Sequence, residues 1–375
     1  MNTIVPYMEP PKPEILRSRC GYPPNEVLQS LVKTLGEAGP VATGRVLHFT
    51  ADLVCSGGLN SFIRVLWDYA LLHIGIASPR VFVYLRQRTR DILTMMKSLP
   101  DETAYSTEEF QIRIGELIIV LRDAPTRSIV PWPKVGNETH DESWIRAIKV
   151  DAVTESAALR IVWKPEGDMG ILRTAGSYLC KAINEGSIDK AFFWIKWLLE
   201  EDAIVRKVQK GPGLSTIERG PAGLSVRQRT DVSFFILELY GEIYKDLAGK
   251  QLVRMHEEFN ALIELWKNPP KGLGAGSKKQ ILTILTQILA EVPKWKVPAA
   301  VPLIKDPTYV ARAVRMVPKF FHEVLSYDAP RGSGLEKAFK SKGSLVKKVK
   351  EKPKTSAQTQ MEAFDKAMEA YMGLV

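Results

Sequence analysis

The chain has 375 residues, 45% hydrophobic and 25% charged, with a formal net charge of +10, which is typical of one large globular domain or two smaller ones. Its three cysteines cannot close a disulfide framework, so we expect a reducing compartment, cytoplasmic or nuclear, without a thiolate zinc site. We find no secretory signal and no apolar run of about 18 residues, so we expect no membrane insertion.

A proline-rich stretch precedes the first helical pattern, and residues 1–24 are predicted to form an extended N-terminal arm. After it, apolar residues recur with the 3.6-residue period of amphipathic helices. Gly36 ends the first of them, and Ser78-Pro79 supplies a cap and a first helical residue for another. An N-terminal helical domain, residues 25–124, is predicted to contain helices over residues 26–35, 60–72, 79–92 and 107–121.

Prolines at 125, 131 and 133 interrupt the helical pattern, so residues 125–153 are predicted to be a loop or linker. A C-terminal helical domain, residues 154–330, follows. Within it, residues 159–163 fit a strand as well as a helix, whereas the segment 187–208 is apolar nearly all round and should be central and buried. The helices predicted in this domain cover residues 170–184, 187–208, 230–247, 251–267, 278–292 and 307–327.

No alternation of period two persists along the chain, so the predicted fold class is all-α, built from stacked antiparallel helix pairs. Residues 331–357 follow as a disordered basic tail, because they combine many lysines with few large apolar residues. Such a run attracts polyanions by counterion release; a solvated tail that only keeps the protein soluble is the alternative. Its candidate nucleic-acid contacts are Lys337, Lys340, Lys342, Lys347, Lys348, Lys350, Lys352 and Lys354.

The last segment, residues 358–375, is predicted to be an amphipathic helix. Its apolar residues recur at helical spacing and form one narrow stripe. A helix this short is marginal alone, so we expect it to fold against a groove on a protein partner. A frayed end or docking on its own body is the alternative. The partner-docking residues of the stripe are Met361, Phe364, Met368 and Tyr371.

Further cations cluster in the body of the chain. Arg86 and Arg90 are four residues apart and share a helical face. A glycine-punctuated loop, residues 211–225, is flanked by cations suited to phosphate contacts. Salt bridges to neighbouring acidic helices are the alternative for the Arg86–Arg90 pair, and a mobile connector carrying solvated charge is the alternative for the loop. The candidates at the loop are Arg206, Lys207, Arg227 and Arg229, with Lys210 and Arg219 beside them.

The sequence carries no recognisable catalytic constellation. His256 lacks the second histidine of a zincin motif, and no GxSxG elbow occurs. A second glycine-rich loop begins at Gly272 and leads into a helix, but Ser277 stands where a Walker motif needs glycine. We interpret Ser277 as the cap of that helix. The sequence therefore predicts a protein that is not an enzyme, with no catalytic residue, metal or cofactor; a phosphate site at a glycine-rich loop is the enzymatic alternative.

Two apolar segments, residues 190–199 and 280–289, resemble helical segments of uncharacterised proteins of nucleocytoplasmic large DNA viruses. The resemblance implies a viral protein that works in the cytoplasm, the nucleus or the virion. It supplies no active-site residues.

Together these patterns predict a non-catalytic, helical accessory or structural protein of a nucleic-acid-associated assembly. The tail would give sequence-independent binding to nucleic acid, and the last helix would hold a protein partner. A capsid or scaffold subunit that makes only protein contacts is the alternative.

Overall fold

The computed structural model describes residues 16–150, 156–294 and 302–328, together with Phe339. Over these ranges the chain is α-helical and forms no β-strand; one isolated antiparallel bridge joins Asp168 to Ser215. The predicted all-α fold class is therefore confirmed, while the antiparallel stacking of helix pairs stays a prediction. The α-helices are α1 Pro24–Leu35, α2 Pro40–Cys55, α3 Leu59–Tyr69, α4 Arg80–Ser98, α5 Asp101–Ser106, α6 Glu108–Asp123, α7 Glu142–Val150, α8 Ala157–Val162, α9 Gly170–Asn184, α10 Ile188–Gln209, α11 Val226–Arg229, α12 Val232–Gly249, α13 His256–Lys267, α14 Ala275–Ala290, α15 Pro307–Arg315 and α16 Val317–Leu325.

Helix ends follow local chemistry where the sequence supplies it. Pro24 occupies the first turn of α1, where its missing N–H costs nothing, and Gly36 follows the last residue. Gly186 lies beyond α9 with a φ of +60°, which favours glycine. The 159–163 segment is settled as helix α8, because the hydroxyl of Ser156 caps it by accepting the N–H of Leu159 at 3.1 Å.

One helix was missed, and one predicted helix cap was wrong. Helix α2 was not predicted, because its buried residues surround the helix and leave no amphipathic stripe to detect. Ser277 does not cap α14; Gly274 holds that position, and Ser277 lies within the first turn. A serine before an apolar run predicts a cap only when its side chain faces the free amides of the first turn.

The chain divides into two compact units, each assembled from segments far apart in sequence. Unit 1 comprises residues 1–65, 90–122 and 307–375, and unit 2 comprises residues 66–89 and 123–306. The domains predicted from the sequence, residues 25–124 and 154–330, are instead consecutive. Helical periodicity shows which face of a helix is buried, but it does not show which helix covers that face.

In unit 1, α2 packs against α1, α5 and α16. Close approach between α6 and α16 depends on Gly115, because a Cβ there would lie 2.1 Å from a methyl group of Val317. Arg122, near the end of α6, donates to the carbonyl of Thr34 at 2.6 Å and to the hydroxyl of Tyr309 at 3.1 Å. The guanidinium thereby joins α6 to the end of α1 and to α15.

In unit 2, the most fully buried helix is α14, which contacts α9, α10, α12 and α13. Its Thr286 hydroxyl lies 2.7 Å from the hydroxyl of the fully buried Tyr240. Helix α10, which was expected to be central, is buried along its aromatic half around Trp197, but Ile204 and Val208 in its last turns are exposed. The expectation of burial holds for only part of this helix.

The segment predicted as a loop or linker, residues 125–153, belongs to unit 2. Residues 125–141 are fastened to α10 and α14 by side-chain hydrogen bonds. The indole N–H of Trp132 donates to Thr283 at 2.9 Å, and that of Trp197 donates to the carbonyl of Thr139 at 3.0 Å. The His140 imidazole lies 2.6 Å from a carboxylate oxygen of Glu201.

Candidate functional site

The candidate site is built around the glycine-punctuated loop, residues 211–225, which an ion pair on α10 holds in place. Arg206 donates to the Asp202 carboxylate at 2.6 Å and to the carbonyls of Arg227 at 3.1 Å and Thr230 at 2.6 Å. Asp202 also accepts the N–H of Leu214 at 2.8 Å. Burial raises the pKa of Asp202, and its hydrogen bonds oppose that rise. Arg206 therefore holds the loop in place, because its guanidinium bonds to groups within the protein.

Glycine is required where the loop meets this ion pair. A Cβ on Gly213 would lie 1.9 Å from a carboxylate oxygen of Asp202, a distance that no side chain tolerates. Gly213 is thus explained by the close packing of its backbone against the Asp202 carboxylate.

A second arginine, Arg219, is the centre of a buried network. Its guanidinium makes a bidentate contact with Asp168, at 2.9 and 2.6 Å, and its Nε donates to Glu238 at 2.7 Å. Ser215 donates to the same Asp168 carboxylate at 2.6 Å. The Arg219 side chain is only 3% exposed and that of Asp168 is 0% exposed. Arg219 is structural, and no local pattern predicted its partner 51 residues away.

The third internal cation of the loop is Arg229. It pairs with Glu218 at 2.6 Å and donates to the carbonyls of Ala222 and Leu224 at 3.1 and 3.0 Å. These contacts fold the loop back on itself. The Arg229 guanidinium is thereby committed to the protein, although sequence analysis predicted it as a nucleic-acid contact.

The other three cations of this region point to solvent. Lys207 and Lys210 are exposed at the end of α10, and Arg227 is exposed on α11. They lie at one edge of unit 2, because Arg206, next to Lys207, is bonded to the carbonyl of Arg227. We call Lys207, Lys210 and Arg227 the basic edge. Of the loop candidates predicted from sequence, Lys207 and Arg227 belong to it.

The Arg86–Arg90 pair on α4 is divided in its contacts. Arg86 forms an ion pair with Glu264 at 2.8 Å, whereas Arg90 is exposed. Between them, Arg88 lies over the ring of Tyr84, 5.7 Å from its centroid. Of the predicted pair, Arg90 is therefore the residue whose exposure suits a phosphate.

The second glycine-rich loop precedes α14. The buried Ser277 hydroxyl donates to the carboxylate of Asp68 at 2.5 Å and so faces inward, away from any ligand at the loop. Lys279 lies 4.1 Å over the ring of Trp132, and burial, followed by the charge of nearby Lys196, lowers the pKa of Lys279. Ser277 and Lys279 are thus engaged within the protein.

All the predicted tail lysines and all the docking residues lie outside the described residues. These are Lys337, Lys340, Lys342, Lys347, Lys348, Lys350, Lys352 and Lys354, and Met361, Phe364, Met368 and Tyr371.

One residue of the predicted tail is described. Phe339 is fully buried, and its carbonyl accepts from the Ser61 hydroxyl at 3.3 Å and from Arg64 at 3.4 Å. Within the segment predicted as a disordered tail, residues 331–357, Phe339 is therefore an exception. An aromatic side chain within a lysine-rich segment was the signal that could have revealed it.

Groups that perform nucleophilic or metal chemistry are buried or dispersed. Burial raises the pKa of the thiols of Cys20 and Cys55, and raises that of Cys180 to about 11. Burial lowers the pKa of His48 to about 4, which keeps its imidazole neutral at pH 7. Across the described part of the chain no group of three potential ligands is placed to hold a metal ion, and no helix is long and apolar enough to cross a bilayer.

Comparison of the chain with protein-family models, with curated proteins and with solved structures found no match.

Proposed function

We propose that the protein is a non-catalytic, helical accessory protein of a nucleic-acid-associated assembly, in which exposed cations bind phosphate backbones without reading sequence. The observation that carries the proposal is the division of the loop cations. Arg206, Arg219 and Arg229 are neutralised by carboxylates within the fold, whereas the basic edge is presented to solvent.

Because three arginines are paired within the protein, only a small set of exposed cations remains in this region. Arg206 holds the backbone of Arg227 beside α10, so the backbones of Lys207 and Arg227 stay close together. Backbone phosphates need only such positioned cations, since they carry no sequence information. The lysine run of residues 333–356 adds eight further cations to the same sequence-independent chemistry.

Salt-dependent binding to random duplex DNA and random RNA tests this function. Changing the eight lysines of residues 333–356 to Gln should reduce the log–log salt slope by about 4 to 6, and changing Lys207, Lys210 and Arg227 to Gln should reduce it by about 3, since each phosphate contact contributes about 0.9. The matched control changes Lys190, Lys245 and Lys250 to Gln, exposed lysines elsewhere in unit 2, and should leave the slope unchanged. A slope that neither change alters would refute the proposal.

The proposal includes a protein partner held by the terminal segment. Its support is the spacing of Met361, Phe364, Met368 and Tyr371, with Phe364 as the aromatic anchor. Phe364→Ala should weaken partner capture by about 2 kcal/mol while the melting temperature stays unchanged. Pull-down followed by thermal denaturation of the same variant measures both quantities. A melting temperature lower by several degrees would place Phe364 in the folded core and contradict the docking role.

A further inference from the structure

The site that receives Phe339 lies on α3, in unit 1. The Phe339 side chain is fully buried, and the carbonyl oxygen of the same residue accepts from the Ser61 hydroxyl at 3.3 Å and from a guanidinium nitrogen of Arg64 at 3.4 Å. Ser61 and Arg64 are three residues apart on α3, so their side chains share a helical face. We call Ser61, Arg64 and the space that the Phe339 ring fills the Phe339 pocket.

Arg64 brings a buried positive charge to this pocket. The residue is only 5% exposed, and its Nε has no hydrogen-bond partner. Asp68 is the one acidic residue of α3, and its carboxylate accepts from Ser277. Among the described residues, the only acceptor for the Arg64 guanidinium is therefore the neutral carbonyl of Phe339.

Two other buried arginines show what such a side chain binds elsewhere in the protein. The side chains of Arg19 and Arg219 are each 3% exposed, and they form ion pairs at 2.6 Å with Glu102 and Asp168. Arg64 is buried to a similar degree but forms no ion pair among the described residues, and a buried charge without a counter-charge is costly. The charge of Arg64 is therefore available to an anionic ligand.

The carbonyl oxygen of Phe339 shows where that anion would bind. The distances of 3.3 and 3.4 Å from this oxygen to its two donors exceed about 3.2 Å, the upper end of the usual range for hydrogen bonds. A carboxylate oxygen at the same position would accept shorter, charge-assisted bonds, about twice as strong as bonds to a neutral acceptor. The planar guanidinium of Arg64 also suits both oxygens of a carboxylate.

We propose that the Phe339 pocket recognises an aromatic carboxylate, and that Phe339 occupies the pocket as an intramolecular substitute for this ligand. The spacing of the ligand follows from Phe339 itself, in which Cβ and Cα separate the ring from the carbonyl carbon. Free 3-phenylpropanoate has this spacing, and so does the C-terminal phenylalanine of a peptide. The pocket uses none of the exposed cations, so the inference does not depend on nucleic-acid binding.

The tether of Phe339 determines how tightly a ligand binds to the intact chain. A segment of the same chain competes for its pocket with an effective concentration on the order of millimolar. An external ligand must exceed this competition in wild type, whereas Phe339→Ala removes the competing ring and leaves Ser61 and Arg64 in place.

Ligand-observed NMR and calorimetry of the full chain test the proposal. Phe339→Ala should bind 3-phenylpropanoate about tenfold or more tightly than 3-phenylpropanamide, which has the same shape without the charge. Adding Arg64→Met to Phe339→Ala should abolish this preference. The matched control adds Arg113→Met instead, which removes a partly exposed arginine of unit 1 that pairs with Glu109, and should keep the preference.

A short peptide ending in phenylalanine distinguishes the two sources of the ligand, with its C-terminal amide as control. If the peptide acid binds Phe339→Ala more tightly than 3-phenylpropanoate does, the natural ligand is a chain terminus. If it binds more weakly, the natural ligand is a free aromatic acid.

The wild-type chain provides a second test that does not require Phe339→Ala to fold. Wild type should bind 3-phenylpropanoate more weakly than Phe339→Ala, by about tenfold or more, and should still prefer it to the amide. Arg64→Met alone should keep or raise the melting temperature, because no carboxylate loses its partner. The proposal is overturned if neither protein binds the acid, if acid and amide bind alike, or if Arg64→Met lowers the melting temperature by several degrees.

Discussion

Two buried carboxylates, one in each unit, are accommodated in opposite ways. In unit 2, the negative charge of Asp168 is met by the bidentate guanidinium of Arg219. In unit 1, Asp52 is also fully buried, and it accepts the N–H of Cys20 at 3.0 Å, but among the described residues no cation pairs with it. Burial raises the pKa of Asp52. The buried charge of Asp168 has a cationic partner, whereas the charged form of Asp52 has none among the described residues, so removing that partner and removing the Asp52 charge should change stability in opposite directions.

The largest effect is expected at the paired site. Arg219→Met leaves Asp168 buried without its counter-charge, and removing one partner of a buried pair costs about 3–5 kcal/mol. Urea denaturation measures the loss in the free energy of unfolding. The matched control is Arg86→Met, which breaks the exposed pair with Glu264 and should cost less than about 1 kcal/mol. Equal losses in the two variants would show that burial does not set the difference.

The second-largest change in the free energy of unfolding is expected from His48. This residue lies one turn before Asp52 on α2 and packs near the rings of Tyr22 and Phe49. Burial lowers its pKa from 6.5 to about 4, so its contribution to stability is complete above pH 6.5 and is lost as the pH falls from 6.5 towards 4. The loss should reach about 3 kcal/mol.

Unfolding free energies at pH 7 and pH 4.5 test this expectation. In His48→Gln the difference between the two pH values should be smaller by that amount, whatever the variant loses in packing at both pH values. An unchanged difference would mean that His48 is protonated in the folded state as readily as in the unfolded chain.

The smallest effect is expected at Asp52. Burial raises the pKa of Asp52 in the folded state, so its contribution to stability is fully present below the unfolded pKa of 3.8, where the carboxyl group is protonated in both states. That stability is lost as the pH rises through the folded pKa. Asp52→Asn keeps an oxygen for the N–H of Cys20 and removes the charge, so it should stabilise the protein by about 1 kcal/mol at pH 7.

Near pH 3.5 the Asp52→Asn variant and wild type should be equally stable. Denaturation curves across this range check the trend. A loss of stability in the variant at pH 7 would show that the Asp52 carboxylate is favourably charged and that the contrast with Asp168 is wrong.

Local sequence determined most of the helical segments and several of their ends. Gly36 and Gly186 mark the ends of α1 and α9, because backbone preferences there act over a few residues and need no distant partner. The all-α fold class follows from the same short-range periodicity. Where no stripe exists, as in α2, the same reasoning found no helix, because burial on all sides erases the period.

Only part of the candidate site could be predicted from the sequence. The cations at residues 206–229 were visible in the sequence, but whether each one faces solvent or a carboxylate was not. Arg206 and Lys207 are adjacent, yet one is held by Asp202 and the other is exposed, since neighbouring helical positions point about 100° apart.

Only the tertiary structure decided which residues meet. Arg219 finds Asp168 across 51 residues, and Gly213 is required by a carboxylate on α10. The physical reason is one of range: hydrogen bonding within a helix and turn preferences act between near neighbours, whereas burial and charge pairing act between whatever surfaces the folded chain brings into contact.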